Sequence, residues 1–83
     1  MATRQVTIDV PEQVFLAEKT DERSFARELR YLAAVKLYEL GRLSSGRAAD
    51  LAGVPRVQFL MELGRYQVFP FAAELRELEQ HGA

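Results

Sequence analysis

A chain of 83 residues with a net charge of −1, 48% hydrophobic and 28% charged residues has the composition of one ordinary globular domain. Because the net charge is close to zero, the protein as a whole does not attract nucleic acid electrostatically. Any affinity for DNA must come from a local basic patch. The absence of cysteine excludes disulfides and thiolate metal sites and fits a cytoplasmic protein, and no apolar run is long enough to span a membrane.

The N-terminal residues alternate between apolar and polar types. Val6, Ile8 and Val10 would point to one side of an extended chain, and the residues between them to the other. This period of two predicts a β-strand with one buried face, which Pro11 ends. Because no second convincing strand follows, we expect the strand to pair with its copy in another subunit as an intersubunit ribbon. The alternative is pairing with residues 68–71 of the same chain.

The next predicted elements are a short helical turn and a long helix. A turn within Glu12–Thr20 would bring apolar residues over the core, and Thr20 or Asp21 would cap the long helix. That helix is predicted to run from about Asp21 to Leu40 and to stop at Gly41. Its second half is apolar on most faces, which indicates a central helix. We expect a helix-turn-helix on one side of it and a second subunit on another.

The stretch 43–66 predicts that helix-turn-helix. Ser44 and Ser45 are suitable N-cap residues for a short alanine-rich helix, predicted at Arg47–Ala52. Gly53 suits the left-handed position that ends it, and Pro55 suits the first position of the next helix. A glycine turn between two short amphipathic helices is the pattern that a helix-turn-helix requires.

The second helix, predicted from about Pro55 to Tyr66, has two distinct faces. The apolar face that would enter the core carries Phe59, Leu60 and Leu63. The opposite face carries Val57, Gln58, Met61, Glu62 and Arg65. A helix that reads DNA usually has more polar and basic groups there. Two interpretations therefore stand: DNA binding, and an oligomerisation or adaptor module that buries Val57 and Met61 in a partner.

The central stretch and its entry are locally basic, whereas the C-terminal stretch is acidic. The central arginines are Arg42, Arg47, Arg56 and Arg65, set against Asp50 and Glu62. Beyond an extended apolar piece at 67–71, a short helix predicted at 72–80 carries an apolar stripe of Phe71, Leu75 and Leu78. An apolar stripe on an acidic helix is typical of a helix that docks in a partner's groove. The alternative is that the stripe belongs to the core.

The residues that most enzymes require are missing. His81 is the only histidine, so the chain has no His/Cys metal site and no Ser–His–Asp or Cys–His nucleophile. The glycines fall at helix ends and turns rather than in a phosphate-binding loop. We therefore expect neither catalysis nor a cofactor.

The run LYELGRLSSGRAADLAGVPRVQFLMELGRYQV, preceded by VTIDVPEQV and a long helix, resembles a group of short prokaryotic proteins of uncharacterised function. Members of that group are regarded as antitoxins of type II toxin–antitoxin modules, often encoded beside a PIN-domain ribonuclease toxin. The positions that match its pattern are Ala48, Ala49, Leu51, Ala52, Gly53, Arg56, Phe59, Leu60 and Leu63. This chain has Pro55 where the pattern more often has serine, and proline cannot donate to a phosphate from its nitrogen.

The resemblance implies an N-terminal strand, a helical core with a helix-turn-helix, and a C-terminal piece that contacts the toxin. We accordingly expect a mainly α chain with three parts: a dimerisation arm at 1–11, a helical domain at 12–66, and a C-terminal segment at 67–83. The expected function is that of an antitoxin and transcriptional autoregulator.

Particular residues are expected to contact the DNA and the toxin. Arg47 would contact DNA phosphate from the first helix of the motif, Arg56 and Arg65 would contact phosphate or base edges, and Gln58 would read a base. The apolar stripe would bind the toxin, and Arg76 would reach its acidic ribonuclease site, as the resemblance implies. The expected partners are operator DNA, a PIN-domain toxin and further copies of the chain.

Overall fold

The computed structural model describes residues 2–70, in which short α-helices pack against one long helix. The helices are α1 (Glu12–Glu18), α2 (Glu22–Glu39), α3 (Ser45–Ala52) and α4 (Arg56–Glu62), and a 3₁₀ turn at Leu63–Tyr66 extends α4. The predicted bounds of the long helix differ from those of α2 by one residue at each end. The second helix of the motif was predicted as one α-helix to Tyr66, but its last turn is 3₁₀ and ends at Gln67, a non-glycine residue at φ 59°.

The predicted N-terminal β-strand is wrong. Residues 2–10 form no strand, and the described part of the chain contains no sheet. Val6 is 85% exposed and Ile8 56% exposed, so the alternation produces no buried face. Alternating β-branched residues indicate a preference for extended backbone. A strand also needs a second strand that forms hydrogen bonds with its N–H and C=O groups. Val68 is buried against the helices, so it does not pair with the N-terminal residues. Because there is no N-terminal strand, the predicted intersubunit ribbon is wrong as well.

The start of α2 is fixed by a side-chain cap and an aromatic contact. Asp21 accepts a hydrogen bond of 2.8 Å from the backbone N–H of Ser24, which holds the pKa of the Asp21 carboxyl below its usual value. Phe25 packs edge-to-face on Phe15 of α1, with ring centroids 5.2 Å apart. Together these contacts settle where the long helix begins and how α1 lies against it.

The core lies where α2, α3 and the α4 region meet. Tyr38 of α2 and Phe59 of α4 are fully buried, and their rings meet at 90° with centroids 5.8 Å apart. The alanines of α3 supply the surface that packs on both neighbours, because small side chains let helices approach closely. Val68, beyond the 3₁₀ turn, adds to the same cluster.

The turn between α3 and α4 is built by backbone geometry. Gly53 has φ 77°, the left-handed conformation that side chains disfavour, and its N–H caps the end of α3 by donating to Ala49 O at 2.9 Å. Arg30 of α2 donates from Nε to Leu51 O at 2.9 Å, so a third element also holds the end of α3. Pro55 is the residue before α4, with φ −60° and ψ 148°, and it directs the chain into that helix.

Candidate nucleic-acid interface

The surface in question is the outer face of α4 and its 3₁₀ extension. Gln58, Met61 and Arg65 are all exposed on it, and Met61 is 73% exposed. The opposite side of the same helix carries Phe59 and Leu60, which are buried. Of the side chains predicted to contact DNA, Gln58 and Arg65 are therefore exposed on this face, and the buried residues of α4 hold the helix in the core.

Glu62 does not project from this face as the sequence suggested. Its carboxylate accepts one hydrogen bond from the Tyr31 hydroxyl of α2 and another, at 3.1 Å, from Gln58 Nε2 one turn earlier. The Tyr31 hydrogen bond holds the pKa of Glu62 below its usual value, so the carboxylate is charged at neutral pH. The pKa of Tyr31 is raised, mainly by burial and then by its hydrogen bond to Glu62.

Tyr31 is itself held by aromatic neighbours. Its ring stacks on Tyr66 with centroids 5.6 Å apart and an angle of 25°, and it lies 5.9 Å from the ring of Phe59. Sequence reasoning missed this role of Tyr31, because its partner Glu62 lies 31 residues away. The stacked tyrosines join the middle of α2 to the end of the α4 region.

Arg56 and Arg47 line one shallow cleft, between the start of α3 and the start of α4. Arg56 Nε donates to the Oγ of the buried Ser45 at 2.8 Å, so this half-buried arginine ties the two helices together. Arg47 is exposed, and its guanidinium lies 3.7 Å from the Asp50 carboxylate in an exposed pair that contributes little stability. Arg65 lies in the 3₁₀ turn, at the far end of α4 from this cleft.

A sequence profile of the family described as Uncharacterised protein family (UPF0175) matches residues 1–81. The chain belongs to UPF0175. A UPF0175 protein of Archaeoglobus fulgidus is 37% identical over 59 residues, which cover 71% of this chain and 67% of the relative. No solved structure matches the chain.

The remaining predicted site residues of this UPF0175 chain lie outside the described residues. They are the proposed toxin contacts Phe71, Leu75, Arg76 and Leu78. Within residues 2–70, no group of three or more His, Cys, Asp or Glu side chains is placed to hold a metal ion. No helix in that range is long and apolar enough to cross a bilayer.

Proposed function

We propose that this UPF0175 chain is a small DNA-binding autoregulator and antitoxin. The observation that supports the DNA-binding part is the two-sided character of α4. Phe59 fixes the inner side in the core, while Gln58 and Arg65 are exposed on the outer side. A short helix held in this way, following a glycine turn, fits the dimensions of the major groove.

The predicted contacts divide into phosphate and base contacts. Gln58 lies in the first turn of α4, where a recognition helix places its base-reading residues. Arg47 at the start of α3 and Arg65 in the 3₁₀ turn flank it and would contact phosphates, which position the protein without reading sequence. Because Arg56 already bonds Ser45, its larger part in this proposal is to hold the start of α4.

The antitoxin part rests on the family resemblance and on sequence. The sequence predicts an apolar stripe of Phe71, Leu75 and Leu78 in the acidic segment after Pro70, and we propose that this segment binds a PIN-domain ribonuclease. The residues proposed to contact DNA all precede Pro70 and those proposed to contact the toxin all follow it, so different residues would bind each partner.

We also propose that the chain forms a homo-oligomer. Since the N-terminal ribbon is wrong, the surface proposed to join the copies lies on α2. Leu29 and Leu32 of α2 are 36% and 43% exposed, and Leu40, directly after the helix, is 57% exposed; all three lie away from the side that bears Tyr38. We predict that Leu32→Glu lowers the mass measured by light scattering toward that of one chain. Leu16→Glu on α1 is the control, because Leu16 is 70% exposed on another helix. A wild-type protein that remains monomeric at high concentration contradicts this part of the proposal.

A second candidate function is an adaptor that binds protein through the outer face of α4. The exposure of Met61 and Val57 favours it, because both are large apolar side chains of α4 that are 73% and 41% exposed. In that case Met61→Lys would abolish partner binding. A DNA-binding protein would tolerate this added positive charge facing phosphates.

Salt dependence of DNA binding tests the principal proposal. Two phosphate contacts per subunit in a dimer predict a slope of about −4 for log affinity against log salt. Arg65→Ala is expected to flatten that slope by about two units, because each lost contact removes about 0.9. The probe is the DNA upstream of the protein's own gene.

Arg23→Ala supplies the matched control for that titration, since Arg23 is an exposed arginine in the first turn of α2. Its slope is expected to equal that of the wild type. Equal slopes for Arg65→Ala and the wild type would show that Arg65 does not touch phosphate.

A further inference from the structure

The base-reading residue of the proposed interface is not an isolated side chain. Gln58 Nε2 donates to one carboxylate oxygen of Glu62 at 3.1 Å, and the Tyr31 hydroxyl donates to the other. The three residues form a chain of hydrogen bonds from the half-buried side of α2 to the exposed face of α4. Gln58, the side chain proposed to contact DNA, is thus connected to the core through Glu62 and Tyr31.

This connection determines which way the Gln58 amide faces. A carboxylate only accepts hydrogen bonds, so the amide must turn its nitrogen, and not its oxygen, toward Glu62. The reversed amide would set two acceptors against each other and lose the hydrogen bond. Glu62 in turn cannot swing away freely, because its second oxygen is held by Tyr31.

The side-chain amide of Gln58, oriented in this way, can still form further hydrogen bonds. After one N–H is given to Glu62, Gln58 retains one N–H donor and its carbonyl acceptor. In the major groove adenine presents an acceptor at N7 beside a donor at N6, the pair that a glutamine amide matches with two hydrogen bonds. Guanine presents two acceptors there, and the amide matches them less well.

We propose that Glu62, held by Tyr31, is a positioning residue that fixes Gln58 to read adenine in the major groove. This inference rests on the proposed DNA-binding function and adds the identity of the base and the residues that set it. Glu62 then has a role on a DNA-facing helix despite its charge. The carboxylate lies beside Tyr31 at the border with α2, and its hydrogen bonds are already made within the protein.

The packing of Tyr31 supports the proposed orientation of Gln58. Its ring contacts the rings of both Tyr66 and Phe59, and this packing restricts where its hydroxyl can lie. A reading group whose supporting residues are locked loses less conformational freedom when it binds, and its geometry is better defined.

The test is selection of bound sequences from a pool of randomised double-stranded DNA by the full-length protein. The wild type is expected to enrich a site with adenine at one position of each half-site, preferred by about tenfold or more. Gln58→Ala should lose that preference. Tyr31→Phe and Glu62→Ala should reduce it to about threefold or less at the same position, while the other positions keep theirs.

Tyr66→Phe is the matched control. It removes a hydroxyl from the ring that stacks on Tyr31 and leaves intact the hydroxyl that contacts Glu62. We expect it to select the same sequences as the wild type. The slope of log affinity against log salt should be the same for all these variants, because none of them removes a phosphate-contacting arginine.

The outcomes separate this inference from the proposed function. If the wild type enriches no sequence and binds no duplex at low salt, the DNA-binding function fails. If the wild type enriches a site and both Tyr31→Phe and Glu62→Ala keep the adenine preference, the positioning role is overturned. It is also overturned if these variants weaken every position equally and change the salt slope, since that result indicates a displaced helix. Should Tyr31→Phe lose its helical circular dichroism, Glu62→Ala, which leaves the aromatic stack intact, decides the question.

Discussion

Phe59→Ala is expected to lower the free energy of unfolding by about 3–5 kcal/mol. Phe59 is fully buried, and its ring packs against both Tyr31 and Tyr38 of α2. Its removal leaves a cavity between α4 and α2 that the short helices can close only in part. Small domains are stable by about 5–15 kcal/mol, so this single change would unfold a large part of the population.

Chemical denaturation of the wild type and two variants measures the effect. Val57→Ala is the control, because Val57 lies in the same helix but is 41% exposed. Its loss should stay near 0.5 kcal/mol, as for most surface substitutions. A loss below about 1 kcal/mol for Phe59→Ala would contradict the position of this ring in the core.

Removal of the residues after Pro70 is expected to abolish neutralisation of the cognate toxin. The chain is cut after Pro70 so that Val68, which is buried in the core, is kept. The shortened protein should keep its helical circular dichroism and its affinity for DNA. The measurement is growth of cells that express the toxin together with either form of the protein.

Single changes within the segment locate the toxin contact. Leu75→Glu should prevent neutralisation as fully as the truncation does, because it sets a charge in the proposed apolar stripe. Arg76→Ala should weaken neutralisation if that arginine reaches an acidic ribonuclease site. A shortened protein that still protects cells would place the neutralising surface elsewhere. If the shortened protein unfolds, the stripe is part of the core.

Local signals in the sequence predicted the helices within residues 12–66 well. The Asp21 cap and the Gly41 stop define α2, and the Ser44 cap and Gly53 turn define α3, because each of these residues acts on backbone within one or two turns of itself. The N-terminal strand could not be judged in the same way. Its existence depended on a partner strand, and alternation along Val6–Val10 carries no information about one.

The site was predictable only to the level of a helix face. The spacing of the apolar residues in α4 indicated that Gln58 and Arg65 would be exposed. It could not show that Tyr31 draws Glu62 aside, or that Arg56 turns back to Ser45. Both contacts join separate helices, and they depend on how α2, α3 and α4 pack.

The outer face of α4 is the surface that we propose binds DNA. The most direct measurement is a titration of isotope-labelled full-length protein with the DNA upstream of its own gene, followed by nuclear magnetic resonance at low salt. We predict that the resonances of Gln58, Met61 and Arg65 shift or broaden, together with those of Arg47, and that unrelated DNA of the same length produces smaller changes. Unchanged resonances, or changes confined to the exposed leucines of α2, would contradict the claim.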